Sequence, residues 1–400
     1  MDDATPARPG TPGEVLRAFL RLGVTSFGGP VAHLGYFRDD LVARRRWVDD
    51  RAYGELVALG QFLPGPASSQ VGFALGLTRA GWGGALAAWT AFTLPSALLM
   101  VAFALGAPAF GTTVGAGLVT GLKVVAVAVV AHAVQGMART LAPDARRATI
   151  AVVAALVVLL TDGPVAQVGA VVLGVLAGLV WCRTADAAPP ADLRTPVSRR
   201  TGAVALALFV GLLVALPVAA AATGSRLLDV VDGVYRAGAL VFGGGHVVLP
   251  LLEAEAVGGG WVTAEEFLTG YGAAQALPGP LFAFAAYLGA LAVPGSVLLG
   301  AAAALVAVFL PGMLVLVGVL PFWDVVRTRP TAQAALRGAN AAVVGVLAAA
   351  LYDPVFVSAV TDGASFGLAL TCFVLLTAWR MPPWGVVLVG AAGGVLIAVL

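Results

Sequence analysis

The chain has 400 residues, of which 60% are hydrophobic and only 11% charged, with a formal net charge of +2 and a mean hydropathy of +0.96. Soluble globular chains are about 45–50% apolar, so this composition excludes a soluble globular protein and identifies an integral membrane protein. Two cysteines, Cys182 and Cys372, are too few for a disulfide framework and wrongly spaced for a metal site.

The chain starts with "MDDATPARPGTPG", acidic and proline-rich, with no basic stretch leading into an apolar core, and so does not read as a cleaved signal. Two segments, 14–37 and 52–78, are then interrupted by "FGGP" at 27–30 and "LPGP" at 63–66. Apolar stretches long enough or nearly long enough to cross a bilayer follow at 82–106, 113–139, 147–160 and 164–182. A polar linker rich in proline and arginine, 183–200, leads to a further apolar stretch at 201–221. Beyond it lie "FGGG" at 242–245 and "LPGP" at 277–280, then apolar stretches at 296–320, 332–352, 355–378 and 382–400.

The second set of motifs repeats the first at a nearly constant offset. Glu14 matches Asp229, Arg21 matches Arg236, Gln61 matches Gln275, and Lys123 matches Arg337, all separated by 214 or 215 positions. The chain is therefore read as a duplication: a first repeat at 1–182, a linker with an unpaired helix at 183–222, and a second repeat at 223–400. One extra crossing between repeats with an even number of crossings would invert the second. If the motif segments are re-entrant hairpins, Arg38, Arg44, Arg45, Arg46 and Arg51 fall on the same side as Arg79, Arg146 and Arg147. That side is the cytoplasm by the positive-inside rule. The expected fold is an all-α polytopic membrane protein of two inverted repeats. Each repeat has two broken hairpins and four spanning helices, giving nine crossings with the linking helix and a cytoplasmic N-terminus; Arg327, Arg329 and Arg380 fall on the cytoplasmic side and only Arg226 on the unfavoured one.

Proline removes an N–H and blocks a carbonyl, and lipid cannot solvate the freed groups, so such breaks belong in protein or beside a water-filled cavity. Half-helices starting at mid-membrane direct unpaired N–H groups and positive dipole ends at a common point, which suits an anion. The anion-binding candidates are Phe27, Gly28, Gly29, Gln61, Pro64, Gly65 and Pro66, with Phe242, Gly243, Gly244, Gln275, Pro278, Gly279 and Pro280. Lys123, the sole lysine, and its equivalent Arg337 are candidate counter-charges, with snorkelling to an interface as the alternative. Arg21 and Arg236 are expected to pair with Glu14 and Asp229, seven residues earlier on the same helical face. Ser68, Ser69 and Asn340 are further donors, with a capping or packing role as the alternative. His33, His132 and His246 are candidates for proton coupling, against the alternative of packed or interfacial histidines. No carboxylate sits mid-span, which argues against a cation pathway, and no nucleophile, metal cluster or acid–base pair marks an enzyme.

The segments "FLRLGVTSFGGPVAHLGYF" and "WVDDRAYGELVALGQFLPGPASSQVGFALG", with their counterparts "YRAGALVFGGGHVVLPLLEAE" and "WVTAEEFLTGYGAAQALPGPLFAFAAYLG", resemble the chromate ion transporter family in its long, two-domain form. The second repeat departs from the first in having Gly245 where the first has Pro30. The resemblance implies secondary active export of chromate, a tetrahedral dianion, across the bacterial inner membrane, conferring chromate resistance. Sulfate or another anion, or an anion channel, is the alternative reading. No cofactor is expected. The partners expected are the anion and the lipid bilayer, with a homodimer compatible with the sequence and no nucleic acid.

Overall fold

A computed structural model describes residues 10–26, 29–106, 113–161, 164–183, 197–241, 248–323 and 329–399. These residues are helical throughout, with turns and caps between. In the first repeat, α1 (Pro12–Thr25), α2 (Gly29–Phe37) and α3 (Asp50–Phe62) precede the long α4 (Ala67–Gly106), followed by α5 (Thr113–Leu141), α6 (Ala145–Leu160) and α7 (Pro164–Trp181). The linking helix is α8 (Arg199–Thr223). The second repeat runs α9 (Arg226–Leu240), α10 (Val248–Ala256), α11 (Ala264–Gln275), α12 (Phe284–Ala292) and α13 (Val297–Val319). It ends with α14 (Pro330–Ala350), α15 (Gly363–Thr377) and α16 (Pro383–Val399).

α4 is two helices in one axis run. Ala80 and Gly81 leave helical geometry, Gly81 at φ 62°, so the chain turns between the second motif segment and the span that follows it. This break falls where the sequence places the boundary between 52–78 and 82–106. Among the described residues five helices are long and apolar enough to cross a membrane: Ala67–Gly106, Val114–Leu141, Arg199–Thr223, Pro294–Phe322 and Pro330–Ala359. α6, α7, α15 and α16 are shorter, at 16, 18, 15 and 17 residues. The expected span at 355–378 is corrected. The preceding helix continues through a widened turn to Ala359, and a new helix starts at Gly363 because Asp362 accepts the Ser365 amide and Ser365 reciprocates in a capping box.

The two repeats are joined by glycine-mediated helix contacts. α5 packs on α16, and α7 packs on α14. In the first pair a methyl group at Gly121 would meet the Gly390 carbonyl, and in the second a methyl at Gly338 would meet the Gly174 carbonyl. Gly117 and Gly121, Gly390 and Gly394, and Gly174 and Gly178 each have the four-residue spacing that lets apolar helices approach backbone to backbone. Gly121 is equivalent to the Gly338 region and Gly390 to the Gly174 region, so the same contact is made twice with the repeats exchanged. α8 lies outside this arrangement, exposing Val204, Leu208, Val210, Val214 and Val218, as a lipid-facing linker would.

Candidate functional site

The LPGP breaks lie in the interior where the two repeats meet. α3 ends at Phe62 because Leu63, before a proline, is forced extended (φ −85°, ψ 154°) and Pro64 has no N–H to continue the ladder. Gly65 then takes φ 121° and Gly279 φ 94°, values an L side chain rarely adopts. Gly65 donates its amide to the Val241 carbonyl at 2.7 Å, and Gly279 donates to the Ser26 carbonyl at 2.9 Å. Ser26 and Val241 immediately precede the FGG motifs of their own repeats. Each LPGP turn is thus tied to the glycine break of the opposite repeat.

The N–H groups of both glycines are thereby engaged in the contact between repeats. Gln70, which the sequence does not single out, is fully buried and donates Nε2 to the carbonyls of Pro64 (2.9 Å) and Gly312 (2.8 Å). It satisfies a carbonyl that the first break leaves open and fastens it to α13.

Beside the second LPGP turn is a cavity of about 470 Å³. Its walls combine both repeats: Gly29 and Ala32 from the start of α2, His132 from α5, Gln275 and Gly279 from the second break, and Arg380. Leu281 and Pro383 also line it, at the starts of the helical segments leading into α12 and forming α16. Three helix starts and a guanidinium therefore border one space, which gives it a positive potential. The Gln275 Nε2 is buried with no hydrogen-bond partner among the described residues. Arg380 is exposed and adopts a left-handed conformation (φ 51°) at the end of α15, where Met381 N–H returns to the Leu375 carbonyl at 2.9 Å. The sequence marks Arg380 only as a cytoplasmic charge. Its place in this cavity is set by that turn and by the packing of α15 and α16 on α5.

The other predicted site residues distribute as follows. Lys123 forms an ion pair with Glu265 at 3.2 Å, and Arg337 donates to the Cys182 carbonyl at 3.0 Å and to Gln333 at 3.1 Å. Arg337 lines a second cavity, whereas Lys123 is not among the residues lining the first. Glu265 and Cys182 lie far from their partners in sequence, while Gln333 is one turn before Arg337 in α14. His33 is 1% exposed, with Nδ1 3.3 Å from Ser68 Oγ and its ring edge-on to Phe92, a packed position. His132 lines the first cavity. Gln61 is exposed, whereas Pro66 and Pro280 are buried and Pro64 and Pro278 half-buried in their turns. Ser69 Oγ and Asn340 Oδ1 are buried without a partner among the described residues. Phe27, Gly28, Phe242, Gly243, Gly244 and His246 lie outside the described residues.

The expected Arg21–Glu14 and Arg236–Asp229 pairs are also corrected. Glu14 accepts from Arg79 (3.1 Å) and Trp47 Nε1 (3.0 Å), while Asp229 accepts from Trp261 Nε1 (3.0 Å) and faces Arg226 at 3.5 Å. Arg236 instead bridges Glu255 (2.7 Å) and Asp232 (2.9 Å). Residues seven apart share a helical face but are about 10 Å apart along it, and closer partners win, either one turn away on the same helix or on other segments. Among the described residues no group of three or more histidine, cysteine or acidic side chains is placed to hold a metal.

Comparison with known proteins places this geometry in a family. The "Chromate transporter" family model matches twice, at residues 13–180 and 228–395, an offset of 215 at both ends. The chain is similar to the chromate transport protein of Pseudomonas aeruginosa, with 31% identity over 95% of this chain and 90% of that protein. It is 30% identical to the chromate transport protein of Cupriavidus metallidurans over 95% of this chain and 91% of the relative. A probable chromate transport protein of Synechococcus elongatus is 29% identical over 84% and 83% of the two chains. No solved structure matches. With both repeats matched and the relatives covered almost end to end, this all-α membrane transporter belongs to the chromate transporter family.

Proposed function

We propose that the chain exports chromate across the bacterial inner membrane by secondary active transport, giving resistance to the ion, and that the dianion binds in the cavity bordered by Gly29, His132, Gln275, Gly279 and Arg380. The observation that carries this reading is the convergence of glycine breaks from both repeats on one space lined by helix starts and Arg380. A site built from both repeats can change its access as they move relative to each other, which favours a carrier over a channel. His132, in the same wall, is the residue assigned to proton coupling in this reading.

An inverted arrangement of the repeats is part of this proposal. Lys123 lies about 27 Å along α5 from Leu141. Arg337, its equivalent near the start of α14, lies instead by Arg146 and Cys182, beyond the C-terminal end of α5. Equivalent helices running in opposite directions support inversion, with the arginine-rich face and the N-terminus in the cytoplasm.

The test is uptake of radiolabelled chromate and of sulfate into inverted membrane vesicles, with and without a pH gradient. Saturable chromate uptake that responds to the gradient and is shifted to higher chromate concentration in Arg380→Gln is expected. Equal preference for sulfate would reassign the substrate, and flux that neither saturates nor accumulates chromate uphill would indicate a channel.

A further inference from the structure

A second cavity, of about 570 Å³, lies where α6 begins, α7 ends and α14 passes. Among the described residues it is lined by Arg146, Arg147, Arg183 and Arg337, with Asp144 as the one carboxylate, which gives these residues a formal charge of +3 (four arginines less one aspartate). Asp144 is committed locally: it accepts from the Arg147 amide at 3.0 Å and from its guanidinium at 2.6 Å, and these bonds hold its carboxyl below the usual range. Arg146 donates to the Trp181 carbonyl at 3.1 Å, Arg183 to the Leu179 carbonyl at 2.6 Å, and Arg337 to the Cys182 carbonyl at 3.0 Å. These contacts cap the C-terminal end of α7 and fix the side chains. Arg337 also donates to Gln333 at 3.1 Å, so it contributes a fixed positive charge, and each guanidinium carries five donors with which it can face an anion.

Trp181 is shared with a third, narrow groove of about 180 Å³ between α6 and α7. The groove is otherwise aliphatic, with Val153, Ala154, Val157, Leu173 and Ala177 among its walls. Val153 and Leu173 are 47% and 49% exposed on this surface. A basic cavity joined through a tryptophan to an apolar groove along two membrane helices has the form of a phospholipid: a phosphate among guanidinium groups, an indole at the interface and an acyl chain below. A soluble oxyanion would have no use for the groove. We propose that this surface is a binding site for an anionic phospholipid, bound with its headgroup phosphate among Arg146, Arg183 and Arg337 and one acyl chain in the α6–α7 groove. Because Arg337 comes from the second repeat and the rest from the first, the bound lipid would bridge the repeats. The inference does not depend on the transport reading.

The experiment uses the full chain in neutral detergent, titrated with phosphatidylglycerol or phosphatidylcholine carrying brominated acyl chains, which quench nearby indoles. The signal is the quenching present in the parent and absent in Trp181→Phe. Saturable quenching by phosphatidylglycerol at about tenfold lower concentration than phosphatidylcholine is expected, with the preference lost in Arg146→Gln/Arg183→Gln. Should that double variant misfold, Arg183→Gln alone, at an exposed residue beyond α7, should reduce the preference severalfold. Equal quenching by the two lipids, or an undiminished preference in a folded variant, would overturn the proposal. So would displacement of the lipid by glycerol 3-phosphate or inorganic phosphate at concentrations matching the lipid's own, which would make this a free-anion site.

Discussion

The amide of Gly65 lies 2.7 Å from the carbonyl oxygen of Val241, and the mirror of that bond, Gly279 to Ser26, is 2.9 Å long. Each repeat therefore supplies the donor that satisfies the other's break. The reciprocity extends to close packing: a methyl at Gly65 would lie 2.8 Å from Gly312 Cα, and a methyl at Gly279 would lie 3.0 Å from Ser96 Oγ, with Ser96 and Gly312 at equivalent positions. Two interrupted helices that would be costly alone in lipid become a mutual clasp near the centre of the protein.

The clasp predicts a stability phenotype. Gly65→Ala and Gly279→Ala each place a Cβ at strongly positive φ and against the opposite repeat, and each should cost about 1–3 kcal/mol. Thermal unfolding in detergent should show both variants melting below the parent. Gly279→Ala should also reduce transport, because Gly279 lines the first cavity. Two variants as stable as the parent would show that the clasp is dispensable.

The cavity predicts which cation matters for the anion. Arg380→Gln should weaken chromate affinity about ten- to a hundredfold, the equivalent of losing a charge-assisted hydrogen bond. Lys123→Gln should leave affinity within about twofold, since Lys123 is engaged by Glu265 with that carboxylate largely exposed. Binding isotherms for both variants, alongside Arg380→Lys to retain charge, would check the ordering. A larger loss in Lys123→Gln than in Arg380→Gln would return the site to the α5 lysine.

Much of the architecture is legible from residue types, because duplication leaves matched motifs and proline leaves an unmistakable break. The ends of α3 and α4, the unpaired α8 and the 215-residue offset all follow from local chemistry. The partners of the charged residues are not legible in this way. Lys123 meets Glu265, 142 positions later, and Glu14 meets Arg79 rather than Arg21, because helix packing brings closer partners than helical periodicity does. Arg380 reads as a loop charge because nothing in "TAWRMPPW" announces the left-handed turn, or that α16 will pack on α5. Gln70 is hidden for the opposite reason: in sequence it is one polar residue at the edge of an apolar run, and only the fold shows it holding two carbonyls at once.

Orientation can be tested by labelling. With Cys182 and Cys372, both buried and unpaired, replaced by serine, a single cysteine at Arg45 should react with an impermeant maleimide only from the cytoplasm, and one at Gly258 only from outside. The two sites lie in equivalent segments of opposite charge, the first with Arg44, Arg45 and Arg46, the second just after Glu253 and Glu255 of α10. Labelling of both from one side would rule out the inverted arrangement.

The glycine contacts between repeats predict a matched pair of defects. At Gly121 a side chain would strike the Gly390 carbonyl, and at Gly338 it would strike the Gly174 carbonyl, so neither helix pair can accept a larger residue without separating. Gly121→Val and Gly338→Val should each destabilise the protein by about 1–3 kcal/mol, as overpacking in a close contact does, and by similar amounts because the contacts are equivalent. Gly211→Val, in α8 with open space around it, is the control and should shift stability by less than about 0.5 kcal/mol. Unfolding midpoints in detergent for the three variants would decide the matter. Loss at Gly121 with none at Gly338 would mean that only one of the two helix pairs holds the repeats together. If all three variants match the parent, the backbone contacts carry no stability and the repeats are held mainly by the clasp at Gly65 and Gly279.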